Sequence, residues 1–514
     1  MPPNSSLKLN IIANYLGQGW QALMGFIFIP LYIKYLGMEA YGLIGVFAIL
    51  QAWLVLLDLG MAPTLSREMA RFTGGAHTAQ SIRDLIRSIE IVAITIGLII
   101  AFAIWLGSDW LSVNWLKAQK LPTNVIARAF TIMGIVTALR FIENIYRSSI
   151  MGLQRQVLLN IVLGFMATAR GLGAVGVLAL VSPTIEAFFI WQGIISIITV
   201  GLFALTLYRL LPQAERPPHF SFGALKGIKD FAGGMMAITF LALLLTQVDK
   251  ILLSRLLTLE TFGFYSLAAT VANALNVVPG PITAAFYPRF TELVARGDEA
   301  SLISIYHKGA QLVSVFMGTA AIMLIFFGHM AILLWTRNPE LTQKVGSLVA
   351  VLSLGMLLNG LMWIPYQMQL AYGWTSLTIK VNVISVAIIV SAILLLVPKY
   401  GAIAAAWIWV ALNAGYIMIA IHFVHRRLLP MEKWRWYWHD VAMPLMAGAL
   451  MAALLRWITP DPSSIAAQLF VLMISSFMVL TATTLTAQAV REELIHYLPP
   501  SIRSIFFKAH RCVL

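Results

Sequence analysis

Charge is scarce in this chain: Asp, Glu, Lys and Arg together make up 11% of its 514 residues. No stretch of domain length is polar enough to fold as a water-soluble unit, so large catalytic domains are excluded. Cysteine is nearly missing as well. The single thiol, Cys512, stands near the end of the sequence, so no internal disulfide framework exists, and it reads as a tail residue without a role. His-Glu-x-x-His, the P-loop and the Gly-rich nucleotide fingerprint are all lacking. We therefore expect no catalytic residues, no metal and no bound organic cofactor. Acidic residues number 21 against 35 Lys and Arg, for a net charge of +14. Without a basic soluble domain to carry it, that excess does not indicate nucleic-acid binding.

What is present is apolar surface. Residues of the AVILMFWYC class make up 60% of the chain and the mean hydropathy is +0.84. A water-soluble core cannot hide that much. Apolar stretches of about 20 residues span a bilayer as helices, which satisfy their own backbone groups. About fourteen such stretches can be traced, predicting an all-α polytopic membrane protein. The first carries Asn14, Gln18 and Gln21 and is too long for a signal-peptide core, so it is expected to remain as a span. Most Lys and Arg, including Arg67, Arg71, Arg83, Arg87, Lys226, Lys229, Arg426 and Arg427, fall on the N-terminal side of the expected spans. That asymmetry predicts both termini in the cytoplasm, and makes the net charge a topology signal.

The chain also repeats itself. Leu36-Gly37-Met38-Glu39-Ala40-Tyr41-Gly42 recurs 221 residues later as Leu257-Thr258-Leu259-Glu260-Thr261-Phe262-Gly263. The same offset maps Lys34 onto Arg255 and Gly152 onto Gly373, while Arg209-Leu210-Leu211-Pro212 returns as Arg427-Leu428-Leu429-Pro430 at 218. Two six-helix lobes follow, at 1–212 and 223–430, joined by a Pro-rich cytoplasmic linker at 213–222. An even number of spans per half makes the repeat parallel. Residues 431–489 add a helix pair, 490–514 form a basic cytoplasmic tail, and Trp434-Arg435-Trp436-Tyr437-Trp438 reads as an interfacial aromatic belt.

Polar groups inside the spans are the candidate site. At 100° per residue, Asn10, Asn14, Gln18 and Gln21 form one stripe on the first span, facing either a neighbouring helix or a water-filled cavity. On the fourth, Arg140, Glu143, Asn144 and Arg147 share a face, and Glu143 can pair with either arginine. A mid-bilayer charge is costly unless paired or hydrated. Two arginines to one glutamate leave a positive excess, and a guanidinium fork suits phosphate or carboxylate. Arg170, about mid-membrane in the fifth span, has no acid on its own helix, so another helix, water or an anion must satisfy it. Glu90 is one possible partner. Lys250 shares an arc with Thr239 and Thr246, while the adjacent Asp249 points elsewhere. Helix breakers recur at the offset: Asp58-Leu59-Gly60 with Pro63 aligns with Pro279-Gly280-Pro281, marking either hinges or kinks that improve packing.

Several of these segments resemble the polysaccharide-transport branch of the multidrug/oligosaccharidyl-lipid/polysaccharide flippase superfamily. They are Asn14-Tyr15-Leu16-Gly17, Ile29-Pro30-Leu31, Tyr35 to Gly42, Leu56 to Gly60, Arg67-Glu68-Met69-Ala70, Val248 to Ser254, Gly263 to Ser266 and Tyr287-Pro288-Arg289-Phe290. The resemblance implies a multi-pass flippase of a bacterial inner membrane. Two lobes would form a V around a hydrated cavity and move an undecaprenyl-pyrophosphate-linked repeat unit between leaflets by alternating access. It further implies a lipid-linked glycan substrate, surrounding membrane lipids, polysaccharide polymerase and other assembly proteins as partners, and H+ or Na+ coupling. Asp58, Glu90, Glu143 and Asp249 are the carboxylates available for coupling or pairing. Competing readings are a peptidoglycan-precursor flippase, a cation-coupled drug exporter of the same superfamily, and a membrane-embedded glycan polymerase or ligase, which the short loops disfavour. At the 221 offset, Arg140, Glu143, Arg147 and Arg170 map onto Leu361, Ile364, Met368 and Ser391. The expected anion site therefore belongs mainly to the first half.

Overall fold

A computed structural model describes residues 3–57, 61–73, 77–153, 155–226, 247–372, 374, 376–459, 462 and 464–497. Among the described residues, regular structure is helical throughout, apart from one isolated parallel bridge between Lys117 and Thr258. The chain divides into two compact units, Met1–Gly263 and Phe264–Leu514. The first unit contains α1 (Pro3–Ile27), α2 (Ile29–Leu36), α3 (Met38–Leu57), α4 (Met61–Thr73), α5 (Ala79–Trp110), α6 (Thr123–Gly152), α7 (Gln156–Leu180), α8 (Ile185–Leu210), α9 (Phe222–Lys226) and α10 (247–256). Helix α11 (Leu259–Asn273) begins in it and runs on into the second unit. There follow α12 (Pro279–Arg296), α13 (Glu299–Thr336), α14 (Pro339–Leu361), α15 (Trp363–Ala371), α16 (Ser376–Tyr400), α17 (Ala402–Gly415), α18 (Ile421–Leu428), α19 (Lys433–Arg435), α20 (Met443–Ile458), α21 (Ile465–Thr486) and α22 (Gln488–Tyr497).

Eleven helical stretches among the described residues are long and apolar enough to cross a membrane. Of the fourteen expected, the other three lie at 40–66, 231–255 and 262–288. The first is present as a shorter apolar helix, Met38–Ala52. The second is described only from residue 247, and the third is divided between α11 and α12 by a 3₁₀ turn at Ala274–Val277. Side-chain oxygens begin several helices by accepting a first-turn N–H: Thr78 from Ser81, Asp298 from Ser301 and Asn338 from Leu341. Helix α13 is longer than a span needs. Its 38 residues extend about 57 Å at 1.5 Å per residue, against a hydrocarbon core of about 30 Å.

Within the first unit, α6 is the central element, packing on α4, α5 and α8. Its face carrying Phe141, Ile145 and Ile150 joins Met69, Ile86 and Phe203 in a buried apolar cluster. Large apolar residues, among them Leu98, Phe102, Ile161 and Phe165, lie exposed, as suits helices whose surrounding solvent is a bilayer.

The two copies of the repeated heptapeptide meet. A Cβ added to Gly42 would lie 2.4 Å from the Leu259 carbonyl oxygen, and one added to Gly263 would lie 2.6 Å from that of Met38. Leu259 is the 221-offset equivalent of Met38, so the contact is reciprocal, as a local two-fold demands. The motif glutamates act on one loop. Glu39 accepts the backbone N–H groups of Gln119 and Lys120 at 2.6 and 2.8 Å, while Glu260 pairs with Lys120 Nζ at 3.0 Å. Trp115 Nε1 donates to Ser254 Oγ, and the Leu259 N–H to the Lys117 carbonyl, closing the same loop over α10 and α11.

In the second unit, α20 and α21 pack on α13 through Ile322, Phe327, Met330, Ala452 and Val479. They are otherwise surrounded by open apolar surface: the spans containing them are 17% and 11% buried, against 61% for α13. A polar cluster fixes their ends. His307 on α13 is hydrogen-bonded through Nδ1 to Asp440 and through Nε2 to Glu432 at 2.8 Å. Gln311 donates to Asp440 at 2.8 Å and accepts the Ala489 N–H at 2.7 Å. Each ring nitrogen of His307 thus faces a carboxylate oxygen, which ties α13 to the segment ahead of α20. The expected aromatic belt is mixed. Trp434 and Trp438 are exposed, but Trp436 is fully buried, 5.8 Å from the His425 ring.

Gly42→Ala and Gly263→Ala should each cost about 1–3 kcal/mol through overpacking against backbone, read as a lower thermal unfolding midpoint in detergent. Gly25→Ala, where an added methyl meets nothing within 4 Å, is the control. Asp440→Ala should cost about 1–3 kcal/mol by leaving His307 and the Gln311 amide without their shared buried partner. The double variant His307→Leu/Asp440→Leu should regain part of that loss, since both partners leave together.

Candidate functional site

Most of the charged and amide residues singled out in the first half converge on one cavity of about 310 Å³. Its polar lining is Gln21 from α1, Gln51 from α3, Arg140, Glu143, Asn144 and Arg147 from α6, and Arg170 from α7. Phe141, Leu163, Met166 and Ala167 supply the apolar wall. The spacing explains the convergence. Positions 140, 143, 144 and 147 follow the i, i+3, i+4, i+7 pattern, which places them on one side of α6.

The arginines are held in different ways. Arg140 donates to two neutral amides, Gln51 Oε1 and Gln192 Oε1, each at 3.1 Å. Its guanidinium also lies 5.1 Å from the Phe47 ring centroid, a cation–π contact. Amides satisfy hydrogen bonds without supplying a counter-charge. Arg170 lies 3.5 Å from Glu143, an ion pair longer than a good hydrogen bond, with side chains 22% and 13% exposed. Nε and Nη2 of Arg170, and Nε of Arg140, are buried and donate to no described acceptor. Arg147 is exposed at the cavity's edge. Three guanidinium groups thus face one carboxylate, with donors left over for an anion.

Other candidates lie elsewhere. Asn14 is engaged with α7: its amide nitrogen donates to Gln156, and its oxygen accepts from Asn160 at 2.7 Å. Gln18 is exposed and does not line the cavity. Glu90, buried on α5, is bonded to Arg87 at 3.2 Å and to the Tyr208 hydroxyl at 2.8 Å, away from Arg170. Lys250 contacts Gln247 at 3.4 Å on α10, and the Asp249 carboxylate has a buried oxygen without a described partner; neither lines the cavity. Asp58 and Gly60 lie outside the described residues, as do Thr239, Thr246 and Cys512. Pro63 is the third residue of α4. Pro279 starts α12 directly after the 3₁₀ turn, a position where its missing N–H costs nothing, and Gly280 and Pro281 continue that first turn.

Gln51, Gln192 and Phe47 were not singled out in the sequence. The two glutamines gave the same signal as the residues that were: a lone amide in an apolar span. Among the described residues no three His, Cys, Asp or Glu side chains converge as metal ligands.

Comparison with known proteins identifies the family. Residues 7–294, more than half of the chain, match the model of the polysaccharide biosynthesis protein family. The chain belongs to that family. A Shigella flexneri protein named "Putative O-antigen transporter" is 21% identical over 405 residues, spanning 79% of this chain and 94% of its own length. The fold is similar to that of the lipid II flippase MurJ in an inward closed conformation, with a TM-score of 0.63, 10% identity, and coverage of 92% of this chain and 97% of that one. An inward-facing multidrug resistance transporter of the MATE family also gives a TM-score of 0.63, with 12% identity and coverage of 79% and 96%. These neighbours place the chain's fold among polytopic membrane transporters.

In this family member, Glu143 is the one described carboxylate lining the arginine cavity. Glu143→Gln should destabilise by less than the roughly 3–5 kcal/mol of a fully buried pair, because the partners retain some hydration. A thermal shift of a few degrees is expected, with Glu143→Asp intermediate. Unchanged stability would mean that Arg170 does not depend on Glu143 for compensation.

Proposed function

We propose that this protein is a flippase for an undecaprenyl-pyrophosphate-linked oligosaccharide or polysaccharide repeat unit in a bacterial inner membrane. The observation that carries the reading is the cavity in the first unit, where three arginines meet one carboxylate and buried N–H donors remain unused. A pyrophosphate is a multivalent anion with several acceptor oxygens, and guanidinium forks recognise it with both charge and geometry. A site of this kind repels cationic cargo, which weighs against drug export. The family match and the Shigella relative support a glycan as the cargo's other part.

On this reading 1–212 and 223–430 act as two repeated six-helix lobes joined at 213–222, with 431–489 as an accessory pair and 490–514 as a tail. Both termini lie in the cytoplasm, as the basic loops favour. The glycan head group crosses by alternating access while the polyprenyl tail stays in lipid. Glu143, paired loosely with Arg170, is the carboxylate best placed to link an H+ or Na+ to substrate binding. A polysaccharide polymerase on the outer face would receive the product.

Arg140→Ala and, separately, Arg170→Ala should reach the membrane folded but leave lipid-linked saccharide accumulated in the inner leaflet. Extraction and mass spectrometry of the lipid-linked pool, with surface glycan measured in parallel, reads this out. Arg→Lys at either position should restore only part of the activity, because the planar fork is lost. Normal surface glycan in both alanine variants would sink the anion-site reading.

A further inference from the structure

The second unit holds another cavity, of about 330 Å³, with the opposite chemistry. Trp363, Tyr366 and Tyr416 give it aromatic walls, and Gln367, Thr378 and Asn382 give it neutral polar groups. No Asp, Glu, Lys or Arg lines it. Helices α14 to α16, which supply most of its lining, are the counterparts of α6 and α7 at the arginine cavity. Adding 221 to positions on α6 and α7 leads to α14–α15 and α16, where Leu361, Ile364, Met368 and Ser391 stand in place of the charges. Leu361, Ile364 and Met368 are buried and do not line this pocket, so related helices frame a cationic site in the first unit and, on another face, a neutral aromatic one in the second.

From this pocket we infer that the second unit carries a binding site for a neutral sugar ring of the glycan, an inference that rests on the flippase reading above. A pyranose has an apolar face of C–H groups and a rim of hydroxyls that both donate and accept. Aromatic faces match the first and carboxamides match the second, since an amide also does both. The volume lies at the small end of the range for small-molecule sites, about 300–1,000 Å³.

The local structure holds these groups ready. Helix α14 ends at Leu361 and α15 begins at Trp363, with Pro365 in the first turn unable to donate back along the helix. The break places Trp363, Tyr366 and Gln367 at i, i+3 and i+4, on one side of the new helix. Asn359 donates to Asn413 at 2.8 Å and lies 3.5 Å from the Trp363 indole nitrogen, orienting the ring. Thr378 donates to Gln369 at 3.1 Å, tying α16 to α15. Tyr416 opens a π-helical turn, Tyr416–Ala420, a distortion often found at functional sites. The carboxamides of Gln367 and Asn382 are hydrogen-bonded to no described residue, so both are free to meet hydroxyls.

The test is photo-crosslinking in cells that make the lipid-linked glycan. A benzophenone amino acid replaces Asn382 or, in a second strain, Asn144 of the arginine cavity; the full-length protein is purified and its adducts are weighed. The inference expects sugar-bearing adducts at 382, and their mass tells lipid-linked glycan from free saccharide. Trp363→Ala should cut the adduct at 382 at least tenfold while that at 144 persists, and Trp363→Phe, which keeps the stacking face, should retain it. Glycan adducts at 144 with only phospholipid or nothing at 382 would overturn this inference and leave the flippase reading standing. No glycan at either position would overturn both. An adduct at 382 indifferent to Trp363→Ala in folded protein would overturn the stacking role.

Discussion

A guanidinium inside a membrane must be compensated, and how each arginine is compensated decides what it can do. At mid-bilayer a charge of this kind is expensive, by insertion scales about 2.5–3.5 kcal/mol even after local adjustment. A carboxylate partner removes most of that cost and most of the field with it. An amide partner satisfies the N–H groups and supplies no counter-charge. Arg140, bonded to Gln51 and Gln192, is of the second kind, and Arg170, facing Glu143 at 3.5 Å, is partly of the first. The packing around α6 serves this arrangement. The helix is locked on its apolar sides by α4, α5 and α8, so that its charged face is presented rather than withdrawn.

Periodicity made part of this arrangement legible in advance. Spacing along α6 is a property of one helix, so the shared face of Arg140, Glu143, Asn144 and Arg147 can be read from sequence. The partner across a helix–helix gap cannot. Arg170 has Glu143, not Glu90, beside it, and Glu90 instead meets Arg87 and Tyr208. Asn14 illustrates the same limit: a polar stripe faces either water or a neighbour, and here the neighbour is α7 with Gln156 and Asn160. The His307–Asp440–Glu432 cluster joins residues more than 120 positions apart, beyond the reach of any periodic signal. Hydropathy reads the apolar stretch of α13 but not its length, because helix continues into polar sequence without an apolar signature.

The repeat is legible for a different reason: what it preserves is backbone contact. Gly42 and Gly263 each meet a main-chain carbonyl at a distance that leaves no room for a Cβ. Such a contact tolerates only glycine, so the motif persists in both copies while neighbouring positions diverge. Glu39 and Glu260 survive alongside for a related reason, since both secure the loop at 115–120. Side chains that point into cavities carry no such constraint. The counterparts of Arg140 and Arg147 are Leu361 and Met368, which are buried in the second unit and do not line its cavity.

Divergence of this sort has a consequence for selectivity in the proposed flippase. Coulomb attraction between guanidinium and pyrophosphate is long in range and indifferent to which sugar follows. Contacts from Trp363, Gln367 and Asn382 act only at van der Waals and hydrogen-bond distance, where one inverted hydroxyl leaves an amide unpaired. A missed hydrogen bond in a partly desolvated pocket is worth about 1–3 kcal/mol, roughly a 5- to 150-fold preference. Capture and discrimination would then reside on different repeats. A change of glycan specificity should accordingly be sought on α15, α16 and the turn at Tyr416, while the arginines of α6 and α7 stay as they are.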